Sequence, residues 1–334
     1  MIEKQQFQQQ LLQWFAKHGR KNLPWQRANG YYVWISEIML QQTQVQKVKT
    51  YFTAFIEKFP TLEILAMAKL DEVLSMWSGL GYYNRARNIH KTALICCKKH
   101  DKSLPHSFSD LLDLPGIGKT TAGAIMSLAY GQPYAILDGN VKRVISRVFR
   151  VKAKKISQYN NKLWHIVENL VSEKNATDYN QALMDLGSLV CRRSNPQCEK
   201  CPFMTTCQAR MTDEIDLLPM KKTATKQIPQ TLDVLLCIND RRIFLQQRPN
   251  TGIWAGLWFL PVFSSIDDLF DAVSGKIDST FQYLHVLSHR KLSITVYVSK
   301  KIPNAAQGQW HSLNQLHKIA YPSALLKAIS QISL

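Results

Sequence analysis

The sequence predicts two domains: a mostly α-helical N-terminal region over residues 1–215 and a small α+β domain over 231–334, joined by a linker at 216–230. Three observations predict this. Apolar residues recur at spacings of three and four through the first two hundred positions, the period of one buried helix face. Short β-like runs replace that period in the last hundred residues. Between the two textures lies a polar, basic stretch bounded by Pro219 and Pro229, the composition of a connector. With 334 residues, 46% of them hydrophobic, the chain can bury a core in each part.

The helical period is plainest in Phe7-Leu11-Leu12-Phe15, Val45-Val48-Phe52-Phe55 and Leu70-Val73-Leu74-Trp77. Gly19 and Pro24, Pro60, Gly79 and Gly81, Pro105, Pro115-Gly116, Gly131 with Pro133, and Gly139 interrupt it. Thr61, Asp71 and Ser109 are expected as N-caps. Beyond the linker, strands are expected at 232–238, 242–246, 258–262 and 294–298, and helices at 267–273 and 322–329.

The net charge of +18, with a pI near 9.6, points to a polyanionic partner, because every neutralised phosphate releases counterions. No run of about eighteen uncharged apolar residues occurs, so no membrane span is expected. Met1 to Phe15 is rich in Gln and lacks the apolar core of a signal peptide. A reducing, bacterial cytoplasmic location is expected, and it also suits clustered cysteines.

Cys191, Cys198, Cys201 and Cys207 are spaced C-x6-C-x2-C-x5-C. Four thiolates on one short segment need a shared soft cation. Zinc and an iron-sulfur cluster both satisfy that need, and disulfides are the third reading. A single C-x2-C pair with longer outer arms favours the cluster.

Leu114-Pro115-Gly116-Ile117-Gly118-Lys119-Thr120 lies between two helical patterns. Pro115 ends the first helix, and the two glycines permit positive φ and close backbone approach to a ligand. Amides ahead of the next helix form an anion pocket. The spacing of a nucleotide P-loop is absent, and a plain helix-helix turn is the alternative.

Two carboxylates stand out. Asp138 follows the hairpin by about twenty residues, ending an apolar run before Gly139, Asn140 and a basic helix. By itself such an Asp is an N-cap. Glu37 lies among Ile35, Ile38 and Met39, at the edge of an apolar face, where burial raises a carboxyl pKa.

These strings together resemble a known family. Trp34-Ile35-Ser36-Glu37-Ile38-Met39-Leu40-Gln41-Gln42-Thr43-Gln44-Val45 matches the signature of adenine-specific DNA glycosylases, the MutY family within the endonuclease III superfamily. The hairpin resembles the helix-hairpin-helix motif, which holds a DNA backbone phosphate. The order of hairpin, Asp and four cysteines is that of the superfamily, and Gly79-Leu80-Gly81-Tyr82-Tyr83-Asn84-Arg85-Ala86-Arg87-Asn88 matches a further family stretch. The resemblance covers nearly the whole chain. It implies a helix-hairpin-helix glycosylase domain with a 4Fe-4S cluster on the four cysteines, and a C-terminal Nudix-like domain.

It also implies roles. Protonated Glu37 gives a proton to the leaving adenine, ionised Asp138 stabilises the cationic sugar, and Asn140 orients the carboxylate or water. Gly116, Gly118 and Thr120 of the hairpin face DNA. Tyr82 wedges beside the lesion base, and Gln41 and Gln42 fill the space left by the flipped nucleotide. Relatives that also cut the backbone carry a nucleophilic Lys where this chain has Thr120; Lys119 sits one residue earlier. A hydrolase that leaves an intact abasic site is therefore expected, with Lys119 and Lys142 as the amines to watch for residual lyase activity.

Gly252 to Pro261 resembles the G-x-W-x-x-P entry of Nudix-like folds, but no Glu-rich magnesium box follows, so nucleotide hydrolysis is rejected. The family's lesion-reading F-S-H motif is here Leu287-Ser288-His289, with Leu in place of Phe. Seven basic residues follow Asp138: Lys142, Arg143, Arg147, Arg150, Lys152, Lys154 and Lys155. Phosphate contacts and solvated helix surface are expected among them.

The expected partner is double-stranded DNA with adenine opposite 8-oxoguanine or guanine, met by a monomer. An endonuclease III-like pyrimidine glycosylase and lyase is the alternative enzyme, against which Thr120 and the second domain speak. A non-catalytic DNA-binding iron-sulfur protein would need neither Glu37 nor Asp138.

Overall fold

A computed structural model of the chain describes residues 2–26, 28–221, 226–274, 276–300 and 307–332; residues 222–225 of the expected linker lie outside them. Two compact units result, one of Met1–Met67 with Asn88–Thr223, the other of Ala68–Arg87 with Ala224–Leu334. The segment 68–87, expected in the helical domain, is thus built into the second unit. A helical period tells where a helix forms, not which core it joins.

The helices in chain order are α1 Lys4–His18, α2 Gly30–Leu40, α3 Val45–Lys58, α4 Leu62–Met67, α5 Leu70–Met76, α6 Asn84–Lys99, α7 Phe108–Leu112, α8 Lys119–Ala124, α9 Gly139–Val148, α10 Ile156–Leu170, α11 Ala176–Leu189 and α12 Gln208–Met211. A π-helical turn, Ile125–Ala129, continues α8. Helix α2 is apolar nearly all round and is buried accordingly, with Val33, Trp34, Ile35, Ile38 and Met39 all inside. A second cluster joins Phe7, Leu11, Val144, Leu163, Tyr179 and Phe203. The rings of Phe7 and Phe203 stack there at 4.3 Å.

Thr61 caps α4 as expected, its hydroxyl accepting the Ile64 amide at 3.2 Å. The other two expected caps are displaced. Helix α5 begins after Lys69, whose amide donates to the Glu72 carboxylate at 2.9 Å, so Asp71 falls inside the first turn. Helix α7 is capped by Ser107, and Ser109 lies within it.

The second unit is built on a seven-stranded sheet among the described residues. Its strands are β1 Ile228–Asn239, β2 Arg242–Gln247, β3 Trp258–Phe259, β4 Val262–Phe263, β5 Ser279–Val286, β6 Arg290–Ser299 and β7 Gln309–Ser312. The order is β3-β2-β1-β6-β5, with β4 on β1 and β7 on β2. Strands β1 and β6 run parallel from Ile228↔Arg290 to Cys237↔Ser299, and the other pairs are antiparallel. Helices α13 Ile266–Ala272 and α14 Ser323–Ile329 complete it.

Three details depart from expectation. Strand β1 starts at Ile228, inside the segment read as linker. The strand expected at 258–262 divides into β3 and β4 at Leu260-Pro261, because Pro261 has no N–H for the ladder; its carbonyl still accepts the Leu235 amide at 3.0 Å. Strands β5 and β7 were not expected. Strand β5 is mostly exposed, and its solvated face carries Leu284 and Val286, which blurs the apolar-polar alternation of a half-buried strand.

Candidate active site

Glu37 lies in the third turn of α2, between buried Ser36 and buried Ile38. The residue as a whole is half-buried. Burial, and then the charge of Asp138, push its pKa from 4.5 up to about 8. Glu37 is therefore a protonated acid at neutral pH.

Asp138 is the N-cap of α9 and accepts the amides of Asn140 at 3.0 Å and Val141 at 2.7 Å. The Asn140 side-chain amide donates to its other oxygen at 2.9 Å. Burial holds the Asp138 pKa above its ordinary value, and these donors, together with the Arg143 charge, offset part of that rise. Burial acts on both carboxyls, but among the described residues only Asp138 has such a set of compensating donors. Asp138 is thus the better-stabilised anion, and its charge favours a neutral Glu37.

The rest of α9 locks this arrangement. Arg143 donates to Asn140 Oδ1 at 2.9 Å, to the Gly187 carbonyl at 2.6 Å and to the Cys191 carbonyl at 2.5 Å. Gly187 lets α11 come this close: a Cβ there would lie 2.6 Å from Asn140 Cβ and 2.8 Å from its carbonyl oxygen. Arg147 is buried and donates to the carbonyls of Leu218, Arg192 and Arg193. Arg150 and Lys152 pair with Glu214, and Lys142 donates to Asn160. So most of the basic run that follows Asp138 holds the fold together rather than facing phosphate. Lys154 and Lys155 remain exposed.

A 280 Å³ cavity in the helical unit is lined by Arg20, Trp25, Gln26, Val33 and Gln181, among others. Val33, which lines this cavity, lies one turn before Glu37 on α2, and Glu37 itself is not part of the lining. Its wall is fixed by Asp185, fully buried, which accepts Arg20 through the backbone amide at 2.6 Å and through Nε and Nη2 at 2.9 and 2.6 Å. Gln181 adds a fourth donor at 2.9 Å. Sequence reasoning left Gln26 without a role and did not single out Arg20, Gln181 or Asp185. The spacing of four positions from Gln181 to Asp185 on α11, which puts both on one helix face, was the available signal.

The hairpin connects α7 to α8. Gly116 has φ +79 and packs against Asn88, whereas Gly118, expected to need the same freedom, has φ −97 and caps α8. Both are exposed, and nothing stands within 4 Å of a Cβ at Gly118, so the backbone there stays open to solvent. Thr120 donates to the Leu137 carbonyl at 3.2 Å, tying the hairpin to the residue before Asp138. Lys119 turns away: its ammonium pairs with Glu168 at 2.6 Å and lies 4.3 Å from the Trp164 ring centre. Gln41 and Gln42 are exposed just past α2, with Gln42 at φ +59.

The four cysteines line one cavity with Val144, Arg147 and Met204, among others. Cys191, Cys201 and Cys207 pack on the helical core. Burial raises the thiols of Cys198, Cys201 and Cys207, the second to about 12, and their neighbouring sulfurs raise them further. Crowded thiols of this kind ionise when a soft metal centre binds. Among the described residues, no three His, Cys, Asp or Glu side chains are arranged to hold a single metal ion.

In the second unit, Tyr82 is half exposed at φ +53. Ser288 and His289 are exposed in the turn from β5 to β6, their side chains 3.4 Å apart. No helix among the described residues is long and apolar enough to cross a membrane.

Comparison with known proteins agrees with this arrangement. Residues 35–169 match the model of the HhH-GPD superfamily of base excision DNA repair proteins, and 233–331 match the NUDIX domain. The chain is 39% identical to an adenine DNA glycosylase of Buchnera aphidicola subsp. Baizongia pistaciae, over 98% of this chain and 96% of that one. It is 31% identical to the adenine DNA glycosylase of Homo sapiens, over 96% of this chain and 73% of that one. Among solved structures, a thermostable thymine-DNA glycosylase matches at 29% identity and TM-score 0.56, over 63% of this chain and 97% of that chain. A non-covalent endonuclease III–DNA complex matches at 23% and 0.54, over 64% and 99%, a likeness of fold. The helical unit thus has the helix-hairpin-helix glycosylase fold, the sheet unit is Nudix-like, and the chain belongs to the adenine DNA glycosylase family.

Proposed function

We propose that this enzyme hydrolyses the N-glycosidic bond of adenine opposite 8-oxoguanine, and opposite guanine, in double-stranded DNA, leaving an abasic site. The carrying observation is Glu37, raised to about 8 in part by the charge of Asp138, together with Asp138 itself, which caps α9 by accepting the Asn140 and Val141 amides. Pure DNA binding needs neither.

In this reading the flipped adenine enters the cavity beside Val33. Glu37 donates its proton to adenine N7, which makes the base a neutral leaving group. The C1′–N9 bond breaks with oxocarbenium character, and Asp138, held ionised by Asn140, Val141 and Arg143, stabilises the cation. Water then adds at C1′ and gives its proton to the Glu37 carboxylate, which restores the acid. Lys119, paired with Glu168, and Lys142, bonded to Asn160, are engaged elsewhere, and Thr120 offers no amine. Strand cleavage therefore has no assigned nucleophile.

The hairpin amides around Gly116 and Gly118, with Thr120, take a backbone phosphate. Tyr82, Gln41 and Gln42 occupy the space around the extruded nucleotide. Ser288 and His289 read the lesion, Ser288 accepting from the N7–H that 8-oxoguanine has and guanine lacks. Cys191, Cys198, Cys201 and Cys207 hold a 4Fe-4S cluster. Each thiolate in such a cluster binds its own iron, so four sulfurs around a cavity fit better than four around one point. Such a cluster would supply no step of the hydrolysis and would order the loop that Arg143 and Arg147 grip.

Single-turnover cleavage of a duplex with one adenine opposite 8-oxoguanine, read before and after hot alkali, tests the proposal. Breaks that need alkali are the expected result. Breaks without alkali would overturn the hydrolytic reading. Excision only from a duplex bearing an oxidised pyrimidine would move the chain to endonuclease III-like chemistry.

A further inference from the structure

Tyr82 occupies a conformation that its loop would not hold alone. Its φ is +53, and it follows Gly79 at +91 and Gly81 at +72. A non-glycine residue in the left-handed region costs about 1 kcal/mol or more and persists only where its surroundings hold it.

The surroundings are specific. Arg85 donates to the carbonyls of Leu80 at 3.2 Å and Gly81 at 3.1 Å. Its guanidinium lies 5.4 Å from the ring centres of both Trp77 and Tyr82, so a single cation bridges the two rings. Trp77 Nε1 donates to the same Gly81 carbonyl at 3.1 Å. The neighbouring Tyr83 sends its hydroxyl to the Tyr321 carbonyl at 2.6 Å, and Arg87 donates to the Ala255 carbonyl. Gln247 on β2 reaches Asp71 at 3.3 Å. Segment 68–87 is thereby a part of the sheet unit, about 170 residues or more from its partners in sequence.

We infer that Tyr83 and Arg85 are positioning residues that preset Tyr82 for DNA, Tyr83 by anchoring the loop to the C-terminal sheet unit and Arg85 by holding the ring. The inference rests on the reading of Tyr82 as the wedge. Its consequence is that the unit carrying Ser288 and His289 also sets the wedge, so the wedge enters DNA without first being ordered.

The test is a double-mutant cycle in the full-length protein. The probe is a duplex with a stable abasic analogue opposite 8-oxoguanine, which is never cleaved, and affinity is read by fluorescence anisotropy. Tyr83→Phe and Arg85→Lys are each made with Tyr82 present and with Tyr82→Ala. Each is expected to weaken lesion binding by about three- to tenfold when Tyr82 is present, the worth of one hydrogen bond, and to do nothing further in the Tyr82→Ala background. Affinity for undamaged duplex is expected to stay unchanged. Equal losses in both backgrounds would overturn the inference while leaving the wedge intact. No loss from Tyr82→Ala itself would overturn the wedge reading, and this inference with it. Melting temperatures identify a variant that has merely lost its fold, and the Arg85→Lys arm then decides.

Discussion

Asn140 donates to Asp138 twice, from its backbone amide at 3.0 Å and from its side chain at 2.9 Å. Only the second bond can be removed without altering the chain trace. Hydrogen bonds to an ionised carboxylate favour the ion, so losing one raises the Asp138 pKa. Asn140→Ala is therefore expected to slow excision by about 10- to 100-fold at neutral pH. The acid limb of the rate profile should also move to higher pH. A rate loss with no movement of that limb would assign Asn140 a role other than stabilising the anion.

Glu37 gives the opposite limb. It acts as an acid, so activity is expected to fall as pH rises through about 8. Glu37→Gln should abolish turnover at every pH while keeping DNA binding. Stability adds an independent check. Below pH 4.5 both folded and unfolded chains hold the Glu37 proton; above that value the unfolded chain loses it first, and stability drains away until about pH 8. Glu37→Gln is thus expected to be more stable than the parent at pH 8, by on the order of a few kcal/mol, with the gap closing near pH 5. Urea midpoints at the two pH values measure it.

The fully buried Asp185 is a case where stability rather than chemistry is at stake. Arg20 provides three of its donors, and Gln181 the fourth. Arg20→Ala removes the side chain and leaves a buried carboxylate short of its cation, a change that typically costs about 3–5 kcal/mol. Denaturant unfolding should show that loss. Replacing Asp185 and Arg20 together should cost less than the sum of the single changes.

Much of the site was legible because its residues lie in short continuous strings. The string around Glu37, the hairpin from Leu114 to Thr120, and Asp138 with Asn140 each sit on one local element, and local elements follow from spacing. What was not legible depends on partners far along the chain. Arg147 reads as one more surface cation after Asp138, yet it is buried against carbonyls from residues 192, 193 and 218. Arg20 finds Asp185 across 165 positions. The attachment of 68–87 to the sheet unit rests on bonds such as Tyr83 to Tyr321, which no periodicity encodes. Strand β5 was missed although Thr280, Phe281, Tyr283 and Val286 favour a strand, because Leu284 and Val286 lie on its solvated face and blur the apolar-polar alternation.

Cys201 offers the sharpest test of the sulfur site. It packs on the helical core, its thiol is pushed up to about 12 by burial, and the other three cysteines line the same cavity. A 4Fe-4S cluster there predicts about four irons per chain and a broad visible absorption in protein purified without air. Cys201→Ser should lose most of both, because a hard hydroxyl is a poor substitute for a thiolate. The damage should reach the carboxylate pair through Arg143, which grips the Cys191 carbonyl and the Asn140 side chain at once. Excision is therefore expected to fall together with iron content across preparations of the variant. Full activity in iron-free protein would show that the loop orders itself without a cluster, and zinc at one per chain would replace the cluster by a single-ion site.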